Sequence, residues 1–166
     1  MNYTELLPKS KIAADILAVA HGNNPWMDYY NFQAKIVPPE IVAQDLFMLE
    51  LAQQHPFVMG VLKMDPNTVY NWHADSRRGC TVNMLLTYDD ISHCLFTDDP
   101  TGVQCQTDEL HYKPDTYYLF NTKRQHMVVN GGETRYLASL EFAEGDKLAY
   151  SQLRKELAEY QLLAHG

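Results

Sequence analysis

The sequence predicts a mainly β fold, a barrel or sandwich of short strands, with helices near both chain ends. From residue 57 onward, short apolar or alternating runs recur at spacings of about ten residues, and turn-forming residues separate them. Eight such runs are present: FVMGVLKM, TVYNWHAD, CTVNMLLTYD, SHCLFTD, TDELHYK, TYYLFNT, HMVVNGG and TRYLASLEF. Helical periodicity is limited to the segments before and after them.

The N-terminal segment, residues 1–56, is predicted to contain helices and one strand. The expected elements are a helix over 11–20, a strand over 30–37 and a second helix over 40–53, which Pro38 and Pro39 open. The second helix is expected to turn its apolar positions toward a sheet. These positions are Ile41, Leu46, Leu49 and Leu51.

The C-terminal segment, residues 146–164, has the apolar spacing of an amphipathic helix. Its apolar positions are Leu148, Leu153, Leu157, Tyr160 and Leu163. A chain of 166 residues suits one domain with one sizeable core. We therefore expect a single domain, residues 1–166, built on a β core of residues 57–142.

Composition and charge exclude several classes of function. The net charge is −8 and no run of lysine or arginine is present, which argues against binding nucleic acid or anionic lipid. No apolar stretch approaches a membrane span, and the first residues show no signal-peptide core. The three cysteines lack CxxC spacing, so we expect reduced thiols and a cytoplasmic protein. The oligomeric state cannot be read from the sequence.

The segment NWHAD holds the first candidate metal ligands, His73 and Asp75. On a strand, residues i and i+2 project to the same face, so an imidazole and a carboxylate could converge on one cation. Taken alone, the pattern occurs by chance in many proteins, and a solvent-facing strand end explains it equally well.

A second group lies in KRQHMVVNGGETRYLASLEF, where His126 opens an apolar strand and Arg135 opens the next. A hairpin of this length would place the two residues on neighbouring strands. If Arg135 points inward it needs an anionic partner, such as a small dicarboxylate. The alternative is a surface ion pair with Glu133 or Glu141.

Two histidines and one carboxylate with open coordination positions form the facial triad of non-haem iron(II) oxygenases. The order HxD, His, Arg resembles the 2-oxoglutarate oxygenases of the double-stranded β-helix (jelly-roll, cupin-like) fold. That resemblance implies iron(II) bound by His73, Asp75 and His126, and 2-oxoglutarate as cosubstrate with its far carboxylate on Arg135.

A narrower resemblance is to small prolyl or aspartyl/asparaginyl hydroxylase-like proteins. It rests on HADSRRGCTVN and YLFNTKRQHMVVNGGETRYLASLEF. By this match, Arg78 and Asn83 correspond to the Arg and Asn after HxD, and Asn121-Thr122 to a later pair. Polar residues that could line the pocket are Tyr70, Asn83, Tyr118, Asn121 and Ser139.

The function implied is a dioxygenase that hydroxylates a peptide side chain or a small metabolite. Two alternatives stay open: a cupin-like metalloprotein that uses the same triad without 2-oxoglutarate, and a non-catalytic binding relative. Substrate identity is not readable, although residues 98–109 and the first 30 residues are candidate specificity loops. The other histidines, His21, His55, His93, His111 and His165, are interpreted as surface, turn or tail residues.

Overall fold

The computed structural model describes residues 1–88, 92–102 and 106–164. In chain order the elements are β1 (Tyr3–Lys9), α1 (Ala13–His21), β2 (Met27–Tyr29), β3 (Phe32–Ile36), α2 (Pro39–Val42), α3 (Leu46–Gln54), β4 (Phe57–Met64), β5 (Val69–His73), β6 (Thr81–Leu85), β7 (His93–Thr97), β8 (Thr107–Glu109), β9 (Thr116–Phe120), β10 (Gln125–Val129), β11 (Arg135–Phe142) and α4 (Tyr150–Glu159). A short 3₁₀ turn, Gly145–Lys147, precedes α4.

The strands form two antiparallel sheets. The larger sheet has the order β1-β9-β6-β11-β4-β3-β2, and the smaller sheet has the order β5-β10-β7-β8. Each of the eight predicted runs contains one strand, so the alternation of apolar residues located these strands correctly. The larger sheet also extends beyond residues 57–142, because β1, β2 and β3 belong to it.

The larger sheet is covered on both faces. One face packs against the helices, with Val82, Tyr117 and Leu140 in a core that also contains Ile16 and Leu153. The other face packs against the smaller sheet. That inner core joins Met64, Tyr118 and Phe120 of the larger sheet to Cys94, Phe96 and Val128 of the smaller one. Because both faces are covered, β6 and β9 are buried at every residue.

The predicted fold class, mainly β with flanking helices, is confirmed. The architecture is a sandwich of two sheets, and within the described ranges the sheets do not join into the closed barrel that we also considered. The seven-stranded and four-stranded sheets face each other across the inner core.

The prediction of one continuous helix over residues 40–53 is wrong, because the segment forms two helices. It is divided into α2 and α3 because Asp45 caps α3, its side chain accepting a hydrogen bond from the Met48 amide. The cap also changes which face is buried. Leu46 and Leu49 are 66% and 39% exposed, and the residues buried in α3 are Phe47, Met48 and Leu51.

The expected hairpin between His126 and Arg135 is wrong as well. β10 pairs with β5 and β7, whereas β11 pairs with β4 and β6, so the intervening turn passes from one sheet to the other. The Asn130 side-chain amide fastens this turn by donating to the carbonyl oxygens of Met64, Asp65 and Glu133. His126 and Arg135 therefore belong to opposite sheets.

The C-terminal helix is shorter than the predicted segment 146–164. Leu148, Leu153 and Leu157 are buried as expected, but Tyr160 is 61% exposed. Within the described ranges, none of the helices is long and apolar enough to cross a membrane. Two of the three cysteines, Cys80 and Cys94, are free and buried, and burial raises the pKa of each thiol to about 12. The predictions for Cys105 and His165 fall outside the described residues.

Candidate metal and cosubstrate site

Three predicted ligands come together at one edge of the smaller sheet. His73 ends β5 and lies directly opposite His126 on β10, and their ring centroids are 4.1 Å apart. The His73 Nε2 atom is 3.7 Å from Asp75 Oδ1. One ligand atom from each of His73, Asp75 and His126 lies within 4.8 Å of the others, so the three can share one metal ion.

Both imidazole rings are oriented by a backbone carbonyl two residues earlier in the chain. The Nδ1 atom of His73 donates to the Asn71 oxygen at 2.7 Å, and that of His126 donates to the Arg124 oxygen at 2.9 Å. A carbonyl can only accept, so Nδ1 carries the proton in each ring and Nε2 offers its lone pair. Hydrogen bonds of this kind are typical of metal-ligating histidines.

His126 is held in its neutral, ligating form. Burial, reinforced by the neighbouring His73, lowers the pKa of His126 to about 4. A histidine binds metal only when it is neutral, so this ring is ready to coordinate at neutral pH without first releasing a proton.

Asp75 is positioned by contacts outside β5, contrary to the strand-parity argument. The strand ends at His73, and the Asp75 amide donates to the Thr122 carbonyl oxygen at 2.8 Å. The Arg78 guanidinium contacts Asp75 Oδ2 through a hydrogen bond from Nε at 2.8 Å and an ion pair from Nη2 at 2.6 Å. Lys123 Nζ donates to the Asp75 carbonyl oxygen at 2.9 Å. Oδ2 is thus occupied, while Oδ1 remains on the histidine side.

Arg135 points into the space between the sheets and is 3% exposed. Among the residues the structure describes it makes no ion pair, so neither Glu133 nor Glu141 serves as the surface partner considered above. Its Nε atom is buried without a hydrogen-bond partner. Its guanidinium carbon lies 5.8 Å from the centre of the Tyr112 ring. A buried cation with a free donor is suited to an anionic ligand.

One cavity, of about 50 Å³, joins the two histidines to Arg135. Four further predicted pocket residues, Tyr70, Arg78, Asn83 and Ser139, lie in its wall. The sequence analysis missed Tyr112 and Thr81, which also line it. The Tyr112 ring packs beside the Arg135 guanidinium, and burial raises the pKa of the Tyr112 hydroxyl, which therefore stays protonated. Tyr112 lies outside the quoted motifs, whereas Thr81 lies within HADSRRGCTVN but has no assigned role there.

Asn121 does not come to this cavity, contrary to expectation. Its side-chain amide donates to the Met1 carbonyl oxygen at 3.2 Å, and its side-chain oxygen accepts from the Lys123 amide. The neighbouring Thr122 lines the cavity instead and donates to the Arg78 carbonyl oxygen at 2.6 Å. Tyr118 packs in the inner core against Tyr3 rather than lining the site.

A second, larger cavity of about 210 Å³ forms the mouth of the site beside His73 and Asp75. Its wall contains four aromatic residues: Tyr29, Tyr30, Phe32 and Tyr70. The Tyr70 ring stacks on His73 with a centroid distance of 3.8 Å. Tyr29 and Tyr30 lie within the first 30 residues, which the sequence analysis proposed for specificity. No described residue of 98–109 lines either cavity.

Three of the histidines outside the predicted triad have carboxylate partners: His55, His93 and His111, the last with its Nε2 3.8 Å from Glu109 Oε2. His93 is exposed, as expected, but its Nδ1 lies 2.6 Å from Glu109 on β8, a partner that the sequence did not reveal. His55 was interpreted as a turn residue, yet it is buried between Glu144 and Glu156, at 2.8 and 2.7 Å. None of the three lies near the metal ligands or lines the cavities described above.

No protein-family model matches the chain, and no curated protein matches it. Similar solved structures do exist. A prolyl-4-hydroxylase from Pseudomonas putida aligns with a TM-score of 0.61 and 13% identity, over 85% of this chain and 91% of its own. A non-haem α-ketoglutarate-dependent epimerase from nogalamycin biosynthesis aligns with a TM-score of 0.59 and 13% identity, over 84% and 76%.

A third structure is a prolyl hydroxylase from Trichoplax adhaerens in complex with a peptide fragment of hypoxia inducible factor. It aligns with a TM-score of 0.58 and 11% identity, over 88% of this chain and 84% of its own. Likeness at these identities is a likeness of fold. The chain has the jelly-roll fold of the 2-oxoglutarate- and iron(II)-dependent oxygenases, as the resemblance of its motifs implied.

Proposed function

We propose that this chain is an iron(II)- and 2-oxoglutarate-dependent dioxygenase that hydroxylates a peptide side chain or a small metabolite. One observation carries the proposal: a single cavity is lined by two histidines and by a buried arginine whose Nε lacks a partner, and the carboxylate of Asp75 lies beside the two histidines. A metal site alone would not require the arginine, and a structural arginine would not be left with a free buried donor.

The donor set fits iron(II). His73 and His126 would bind through Nε2 and Asp75 through Oδ1, because the other atom of each group is already hydrogen-bonded. Two imidazoles and one carboxylate leave coordination positions open for further ligands. Arg78 would hold Asp75 in place through its two contacts to Oδ2, and Arg78 itself would not bind the metal.

The far wall fits a dicarboxylate. Arg135 would bind the distal carboxylate of 2-oxoglutarate, and the Tyr112 ring would pack beside the guanidinium. Together the bound metal and cosubstrate would supply the oxidising chemistry, with dioxygen as the oxidant: 2-oxoglutarate loses carbon dioxide and takes up one oxygen atom to become succinate, and the other oxygen atom is inserted into a substrate C–H bond.

The protein's own contribution is orientation and exclusion of water. Apolar side chains from both sheets, Phe32, Leu62, Phe120, Val128 and Leu137, line the cavity between the metal ligands and Arg135. A low-polarity wall strengthens the pairing of Arg135 with a carboxylate and keeps bulk water from the reacting centre. Access for substrate would be through the mouth beside His73.

The test is succinate release from 2-oxoglutarate in the presence of iron(II), first without substrate and then with amino acids and peptides. His126→Ala should abolish it, because the metal loses a ligand. His93→Ala is the matched control, since His93 is an exposed histidine of the same sheet. Equal activity in both variants would contradict the proposal.

The alternatives remain as outcomes of the same experiment. Metal binding without any effect of 2-oxoglutarate would favour the cupin-like metalloprotein, and absence of both would favour a non-catalytic relative. The substrate class rests on two of the similar structures, one bound to a peptide and one named for a small-molecule pathway. Both classes therefore belong in the substrate panel.

A further inference from the structure

The mouth of the site contains the carboxylate of Glu141, which is not needed to bind the proposed metal or 2-oxoglutarate. Along β11, alternate residues project to the inner face, so Glu141 lies on the same face as Arg135 and Ser139. Arg135 and Ser139 are buried, whereas Glu141 is exposed and lines the mouth beside Asp75 and Arg78. It also lines the adjoining groove of about 510 Å³ that continues along β3 and β4.

Glu141 has unused acceptor capacity. The Tyr29 hydroxyl donates to its Oε2 at 3.1 Å, and within the described ranges no lysine, arginine or histidine forms an ion pair with it. Burial raises the pKa of the Tyr29 hydroxyl to about 12; Arg78 acts in the opposite direction and Glu141 in the same direction. The hydroxyl therefore keeps its proton and remains the donor. The nearby Asp75–Arg78 pair is already matched internally. Glu141 is thus a free negative charge at the rim.

Four aromatic residues line the same cavity as Glu141. We call Tyr29, Tyr30, Phe32 and Tyr70 the aromatic rim. The rings of Tyr29 and Tyr30 meet edge to face at 4.9 Å, and those of Phe32 and Tyr70 at 4.8 Å. Tyr30 is the first of the two residues that turn β2 into β3, which accounts for its positive φ of 53°, and it is 64% exposed.

We propose that Glu141 and the aromatic rim form a subsite for a cation, so that the substrate carries a protonated amine or a guanidinium near the carbon that is hydroxylated. This inference rests on the proposed oxygenase function, because the subsite lies at the mouth of the proposed metal centre. A carboxylate pairs with such a cation by charge-assisted hydrogen bonds, and aromatic faces attract it through their quadrupoles.

One residue at the mouth opposes the cation. Arg77 lines the same cavity and is exposed. Its charge would repel a bound ammonium group, and removing it should strengthen binding rather than weaken it. Removing the charge of Glu141 is therefore expected to weaken binding of a cation, and removing that of Arg77 to strengthen it. A general loss of structure would weaken binding in both variants.

The experiment compares two probes that differ only by a charged group: N-acetyl-lysine methylamide and N-acetyl-norleucine methylamide. Their dissociation constants are measured by NMR titration of the protein, with and without manganese(II) and 2-oxoglutarate. The wild type should bind the lysine probe about tenfold more tightly than the norleucine probe. Glu141→Gln should remove that preference, whereas Glu133→Gln, at an exposed glutamate in the turn before the same strand, should retain it.

The outcomes separate the two proposals. Binding of manganese(II) and 2-oxoglutarate with no preference for the lysine probe would overturn the cation subsite and leave the oxygenase proposal intact. A lysine preference that depends on Glu141 in a protein that fails to bind 2-oxoglutarate would overturn the oxygenase proposal and leave the subsite. A preference that survives Glu141→Gln would overturn the assignment of Glu141. Arg77→Gln should strengthen lysine binding, and weaker binding would contradict the electrostatic argument.

Discussion

At the residue scale, Arg135 separates the proposed oxygenase from a metalloprotein that does not use 2-oxoglutarate. Removing one partner of a shielded charge pair costs about 2–5 kcal/mol. Arg135→Ala should therefore raise the dissociation constant of 2-oxoglutarate roughly thirty-fold or more. Arg135→Lys should also weaken binding, because an ammonium group lacks the planar fork of a guanidinium.

The measurement is titration of 2-oxoglutarate into manganese-loaded protein, with metal affinity determined in parallel and expected to change little. Arg154→Ala is the control, since Arg154 lies on α4 and donates to Thr4 rather than entering the cavity. Unchanged 2-oxoglutarate affinity in Arg135→Ala would move the protein to the cupin-like alternative.

Arg78 gives a second prediction at this scale, about orientation of a ligand rather than coordination. Two of its nitrogens hold Asp75 Oδ2, and without them the carboxylate could rotate away from the histidines. Loss of such an outer contact typically lowers metal affinity by about 10- to 100-fold. Arg78→Gln should thus weaken manganese(II) binding to that degree, whereas Asp75→Ala should abolish it. Asp15→Ala, at an exposed carboxylate on α1, should have no effect on the same titration.

At the element scale, the buried Lys35 joins α1 to β3. Its Nζ donates to the carbonyl oxygens of Ala20 at 3.0 Å and Gly22 at 2.8 Å, which α1 leaves without helical partners. The same ammonium lies 4.5 Å from the centre of the Trp26 ring. The lysine therefore caps the C-terminal end of the helix from the sheet.

Lys35→Met should lower the free energy of unfolding by about 2 kcal/mol, because the methionine fills similar space but satisfies none of these carbonyls. Lys63→Met is the matched control. Lys63 also lies near Trp26, at 5.6 Å, but it pairs with the exposed Asp65, and such a pair contributes under about 1 kcal/mol. Urea denaturation of the three proteins tests the difference, and equal losses would contradict the capping role.

At the scale of the whole molecule, His55 connects three distant parts of the chain. It follows α3, and its two ring nitrogens contact Glu144 after β11 and Glu156 on α4. Burial lowers the pKa of His55, but the hydrogen bonds to the two glutamates outweigh it, and the net shift is upward. The protonated ring can donate to both carboxylates at once.

A histidine with a raised pKa stabilises the fold below its unfolded value of about 6.5, and that contribution is lost as pH rises through the folded value. His55→Gln should therefore lower the free energy of unfolding by about 1–3 kcal/mol at pH 6 and by less at pH 9. Denaturant unfolding of both proteins at the two pH values measures this. A difference that grows toward pH 9 would have the wrong sign.

The eight strands between residues 57 and 142 and the three metal-ligand candidates could be predicted from residue type and order alone. Apolar alternation is a local property, and a strand needs only its own residues to show it. The motif residues His73, Asp75, His126 and Arg135 were found in the same way, from residue type and order. β1 was not predicted because it contains Pro8 and polar residues. An edge strand tolerates such residues, but they interrupt the apolar alternation by which strands are recognised.

Tertiary structure alone decided which side chains share a cavity. Arg135 and His126 were placed on neighbouring strands, but the turn at Asn130 carries the chain from one sheet to the other, so they meet across the interior. Asn121, chosen from a motif, instead fastens the N-terminus, and Tyr112, which belongs to no motif, contacts Arg135. Strand order and sheet packing depend on contacts between residues distant in sequence, and a single sequence read locally does not contain that information.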